Sequence, residues 1–177
     1  MKGKGFLFKI LALISAVASV VFACLIKFCF RATAGGEKVE GLTNWSIFSD
    51  AAKTDKTQIA QFGGIGYDSA LRTFAVFLIV IIAIIVTILI ALTLYGKFSK
   101  NPFEACSGSC NILSVVVSLL GIGLFITILS YVNTNTATVA GMTAGVAVAN
   151  VVMLVLSISF SVLTSVFYIV GAANTKK

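Results

Sequence analysis

The sequence predicts an all-α membrane protein: four transmembrane helices in an antiparallel bundle, with a small extracellular domain between the first two. Three observations predict it. Residues 74–95, FAVFLIVIIAIIVTILIALTLY, form a run of 22 without charge, glycine, proline or amide side chain. As a helix rising about 1.5 Å per residue, that run covers the roughly 30 Å hydrocarbon core of a bilayer. Further apolar runs occupy 10–26, 112–132 and 139–173. Finally, 11% of the residues are charged and 59% hydrophobic, with a mean hydropathy of +1.08, whereas a soluble domain carries about 25% charged residues.

The first helix is placed at about 6–28. Lys2, Lys4 and Lys9 precede a run of 17 uncharged residues that ends at Lys27. A basic start, an apolar middle and Ala32-Thr33-Ala34 also fit a cleavable signal peptide. The run is long for that purpose, however, and Lys27 and Arg31 separate it from the small-residue site, so a retained helix is expected. A lipoprotein site at Cys24 fits less well, because Phe22 stands two residues before it. The loop at about 29–72 changes composition. Residues 27–72 hold eleven of the nineteen charged residues and the one tryptophan, Trp45. Gly35-Gly36 and Gly63-Gly64-Ile65-Gly66 mark turns, and 39–48 alternates weakly enough for a short β-sheet. A connection this long is usually functional or separately folded.

Asp68 or Ser69 can cap the second helix, 73–95, by accepting from its first unpaired N–H groups. Residues 96–111 read as a short polar loop, with Pro102 and Gly108 opposing continuous helix. The third helix is placed at 112–132 and is followed by a tight polar turn, NTNTAT. Residues 139–173 carry no charge over 35 positions, more than one span requires. The fourth helix is placed at about 142–172, with 137–147 as an extension or a bent approach.

Charge sets the expected orientation. With four spans the two ends share a side, which then holds Lys2, Lys4, Lys9, Lys97, Lys100, Lys176 and Lys177 against Glu104. The long loop is nearly balanced, and long loops translocate largely regardless of charge. Both termini are therefore expected in the cytoplasm, in the plasma membrane, with 29–72 outside. The net charge of +7 thus belongs to the lipid boundary, where anionic headgroups attract it, and does not predict nucleic-acid binding.

No acidic, basic or histidine side chain is expected well inside a span, which argues against a proton relay or ion pathway. No pair of titratable groups is spaced for acid–base work, and no nucleophile has a partner base. Four cysteines in two separated pairs, without histidine, do not have the spacing of a zinc site. The expectation is a non-enzymatic protein without cofactor or metal.

Small residues form the clearest pattern. Ser157, Ser161 and Ser165 recur every fourth residue, as do Ser15, Ser19 and Ala23, while Gly141 and Gly145 make a GxxxG extended by Ala149. Such faces let helix backbones approach closely. Packing within the bundle is the first reading, and a seam to another subunit, best fitted by 141–149, is the second. A pore lined by the three serines in an oligomer is a remote third. Cys106 and Cys110, next to the membrane on the cytoplasmic side, are candidate palmitoylation sites or bystander thiols. Cys24 and Cys29 could pair only if the first helix ends between them. Asn44-Trp45-Ser46 is an N-glycosylation sequon, and Trp45 suits the membrane interface, the loop's core or a partner.

This layout resembles the claudin and peripheral-myelin-protein group, with the amastins as cousins. Gly41-Leu42-Thr43-Asn44-Trp45 is similar to the Gly-Leu-Trp signature of the claudin first loop. Tyr67-Asp68-Ser69 with Arg72 resembles the approach to the second helix there, and Ile128-Leu129-Ser130-Tyr131 resembles the end of the third. The two cysteines of the claudin loop have no counterpart here. The resemblance implies a structural, adhesion or lateral-assembly role, with the bilayer and a homo-oligomer or other membrane subunits as partners. The alternative is an accessory subunit of a larger channel, transporter or secretion complex.

Overall fold

The protein, here as a computed structural model, is described over residues 2–34, 37–48, 70–98, 103–139 and 141–175. Four helices, α1 (Lys2–Cys24), α2 (Ala70–Phe98), α3 (Phe103–Thr134) and α4 (Val151–Thr175), run antiparallel. Four strands, β1 (Lys27–Ala34), β2 (Glu37–Ser46), β3 (Thr136–Val139) and β4 (Met142–Val148), gather where α1 and α3 end and α2 and α4 begin. Each helix contains an apolar segment of spanning length: Gly5–Cys24, Ala70–Tyr95, Gly108–Thr134 and Val151–Asn174. The chain is a multi-pass membrane protein with the four-helix fold that its sequence predicts.

Bundle packing follows the chemistry of lipid. Large apolar side chains gain nothing by leaving hydrocarbon for a protein interior, so helix association rests on close packing and interhelical hydrogen bonds. Accordingly α1 turns Ala12, Ser15, Ala16, Ser19 and Ala23 inward, none more than 3% exposed. Leu7, Ile14 and Val21, seven residues apart, face outward, as do Ile112, Leu119 and Ile126 on α3. The most extensive helix contact is α1 along α4; α3 packs on both α2 and α4, and α1 touches α2 more lightly. Phe22 stacks on Phe160 at 5.5 Å between ring centroids, and Phe8 meets Phe167 at 6.4 Å.

The first helix stops at Cys24, short of the expected 28. Lys27 cannot remain in hydrocarbon, and KFCFRATA alternates with the period of a strand. Lys27 and Phe28 therefore open β1. The sheet is antiparallel in the order β2-β1-β4-β3. Phe28 lies opposite Trp45 on one side and Val148 on the other. Phe28, Phe30, Ala32, Ala144, Val146 and Val148 are buried, and they share one face by register. Phe28 meets the Tyr131 ring of α3 edge-on at 5.1 Å, seating the sheet on the end of the bundle.

Two expected boundaries are corrected here. The sheet is not confined to the first loop: residues expected to be a turn and the start of the fourth helix form the β3–β4 hairpin, and α4 begins at Val151 rather than 142. The expected loop at 96–111 is mostly helix, because α2 runs to Phe98 and α3 starts at Phe103. Gly108 has open space around it, and one glycine inside a helix costs only about 1 kcal/mol. At about 1.5 Å per residue, α2 and α3, of 29 and 32 residues, reach beyond the roughly 30 Å core.

Asn150 fastens the two halves of the chain. The Lys27 N–H donates to its Oδ1 at 2.7 Å, and its Nδ2 donates to the Leu25 carbonyl at 2.6 Å. Beside it, the Ala149 N–H donates to the Lys27 carbonyl at 2.8 Å, and the Met153 N–H donates to the Asn150 carbonyl at 2.9 Å. One amide side chain thus bridges the end of α1 and the start of β1 while its backbone opens α4.

Candidate functional site

Lipid supplies no hydrogen-bond partners, so a hydroxyl inside a span looks for them in the protein or in ordered water. Most donate within their own helix. Ser19 donates to the Ala16 carbonyl at 2.8 Å, Ser114 to Asn111 at 2.7 Å, Thr127 to Gly123 at 2.8 Å and Thr164 to Phe160 at 2.9 Å. Others cross between helices. Ser157 Oγ donates to the Ser19 carbonyl at 3.0 Å, joining α4 to α1. Ser118 Oγ reaches the Ser161 carbonyl at 2.6 Å and contacts Ser165 Oγ, joining α3 to α4. Each such bond contributes roughly 0.6 kcal/mol, with a ceiling near 1.7.

The structure therefore places Ser157, Ser161 and Ser165 at 4%, 1% and 9% exposure, against α1 and α3 of the same chain. Facing inward, they cannot line a pore formed between copies. Where α1, α2, α3 and α4 converge, a cavity of about 10 Å³ is lined by Ser19, Ala23, Ile79, Gly121, Ser157 and Ser161, among others. Ser161 Oγ is buried there without a hydrogen-bond partner.

Gly141 and Gly145 do not form a helix-packing seam. Gly141 lies at the β3–β4 turn with φ +81°, a conformation that favours glycine. Gly145 lies within β4, where a Cβ would stand 2.5 Å from Thr136 Cα and would also strike the Asn135 carbonyl oxygen. The spacing that suggests a helical motif serves a turn and a close backbone approach in a sheet.

A second polar group sits at the opposite end of the bundle, with one residue from each helix. Lys9 of α1, Cys110 of α3 and Tyr168 of α4 are 6%, 5% and 1% exposed. Tyr168 shares a 2.5 Å hydroxyl contact with Thr93 of α2. Cys110 lies close enough to interact electrostatically with both Lys9 and Tyr168. Gly171 gives α1 room, since its Cβ would stand 3.2 Å from the Gly5 carbonyl oxygen and 3.3 Å from Lys9 Cγ. Lys9, a boundary lysine by sequence, is thus packed inside the helix ring. This grouping leaves no sequence signal, because its members come from four separate helices and share no motif.

Burial also corrects the palmitoylation expectation at Cys110, whose sulfur is turned into the bundle and away from acyl donors. Cys106 lies in the first turn of α3, and its side chain falls outside the described residues. A protein with Cys110 as its sole cysteine (Cys24, Cys29 and Cys106 changed to serine) should resist maleimide in mild detergent and react fully in SDS. Rapid native labelling, read by mass shift, would place Cys110 outside the core. Although α1 ends between Cys24 and Cys29, neither is in a disulfide; Cys24 is exposed and Cys29 is buried.

Asn44 is exposed in β2, opposite Cys29, so the sequon is at the surface at the sheet end. Trp45 is 7% exposed and belongs to the apolar core, which assigns it to packing. Among the described residues, no three His, Cys, Asp or Glu side chains gather to hold a metal ion. No protein-family model matches this sequence, and no curated protein matches it.

Proposed function

We propose that this is a non-enzymatic plasma-membrane protein, claudin-like in layout, with a structural, adhesion or lateral-assembly role. Its termini lie in the cytoplasm and the sheet lies outside the cell. The observation that carries this reading is the knitting of both loops into one sheet: β1 pairs with β2 from its own loop and with β4 from the other. A sheet tied at both ends to the bundle offers a preorganised surface for a lateral or trans contact. The lysines of the terminal side support the orientation. The first loop, residues 27–72, presents the contact surface, and its segment after β2 carries Asp50, Lys53, Asp55, Lys56 and Asp68.

The test replaces residues 50–68 with a Gly/Ser linker of equal length, leaving every strand in place. Tagged full-length protein is isolated in native lipids. Loss of self-association or of captured neighbours, with thermal stability retained, is the expected outcome. Return of the same partners removes the recognition role from this segment. Co-isolation with one larger unrelated subunit, with or without the segment, would favour the accessory-subunit reading instead.

A further inference from the structure

The cavity at the convergence of the four helices has a donor and acceptor pattern of its own. The Ser19 hydroxyl proton is committed to the Ala16 carbonyl, and that of Ser157 to the Ser19 carbonyl. Their oxygens keep lone pairs as acceptors. Ser161 Oγ, 1% exposed, has no protein partner and so keeps an available proton. A ligand that completes this set must offer two donors and one acceptor.

We propose that the cavity is a binding site for one water molecule, which accepts from Ser161 and donates to Ser157 and Ser19. Its volume of about 10 Å³ is close to the roughly 10–15 Å³ that a single water requires, and three polar partners lie within the usual two to four. A cation fits poorly, since no carboxylate lines the cavity and an uncompensated charge at membrane depth is strongly disfavoured. Gly121 makes room for the Ser161 side chain: a Cβ there would stand 2.7 Å from Ser161 Cβ and closer to its hydroxyl. The water joins α1 to α4 and completes a contact that the protein leaves one partner short.

The experiment compares full-length wild type with Ser161→Ala, by an experimental density map fine enough to show ordered water and by thermal unfolding in mild detergent. Wild type should show a density peak within hydrogen-bond range of the three hydroxyls. The variant should lack the peak and melt lower, by about 2–4 °C. A wild-type cavity without density, or one filled by a lipid or detergent carbon, overturns the proposal. So does an unchanged or higher melting temperature in the variant, which is what removing a hydroxyl from a dry void would give. Should the variant fail to accumulate, the wild-type map decides alone.

Discussion

Gly145→Ala is expected to be among the most destabilising single-methyl additions in this protein. The new Cβ would meet Thr136 Cα at 2.5 Å and Thr136 Oγ1 at 2.6 Å, besides the Asn135 carbonyl oxygen. Two of these are backbone atoms, and they are held in place: the Val146 N–H donates to that same Asn135 carbonyl at 3.1 Å, and Asn135 is itself fully buried. β3 must therefore move off β4. Overpacking of this kind costs about 1–3 kcal/mol and more where the backbone has to shift, so a loss near 3 kcal/mol is expected. For a chain of this size that amounts to about 6–12 °C in melting temperature. Hydrogen exchange should quicken over residues 136–148 while the spans stay protected. Gly141→Ala is the control: nothing lies near its Cβ position, and only its φ of +81° is strained, a cost of about 1–2 kcal/mol. Equal effects at both positions would contradict the sheet geometry.

Asn150→Leu should come next. It removes two hydrogen bonds to backbone groups of a segment 123 and 125 residues away. At about 1 kcal/mol net for each bond, the loss is near 2 kcal/mol, because both groups lie where water can partly replace the amide. Asn150→Asp separates the two contributions. It keeps the acceptor for the Lys27 N–H but sets a carboxylate oxygen against the Leu25 carbonyl, so it should be at least as damaging as leucine at neutral pH. Recovery of stability as the introduced carboxyl protonates in acid would identify the lost donor as the cause. Thermal melts of the three proteins between pH 4 and 8 decide this; an aspartate variant as stable as wild type would mean that the amide does not clamp the junction.

The four helices were legible because bilayer thickness imposes a minimum length on an uncharged run, and 74–95 satisfies it without interruption. The sheet was legible only in part, and the reason is local. Thr136–Val139 and Met142–Val148 carry no charge and consist mainly of Thr, Ala, Val and Gly. Hydropathy therefore merges them with the helix that follows. A signal was nonetheless present: two β-branched stretches separated by Ala140-Gly141 have the form of a hairpin, and Asn150 is a favoured residue just before a helix. Likewise, Lys27, Cys29, Arg31 and Thr33 alternate with Phe28, Phe30 and Ala32, a period of two that a helix ending at 28 conceals.

The interior was less legible than the spans. Serine spacing on α4 and α1 marks the faces that pack together, but it does not say which hydroxyl lacks a partner. That depends on Gly121, which belongs to a third helix. The grouping of Lys9, Thr93, Cys110 and Tyr168 is likewise a product of helix order around the ring and not of any motif.

The place of β1 in the middle of the sheet has a consequence for how the molecule is made. Its second neighbour, β4, leaves the ribosome only after two further helices have been made. Until then one edge of β1 stays open to pairing with another strand. Completion of this small sheet is therefore a late step in the folding of the chain.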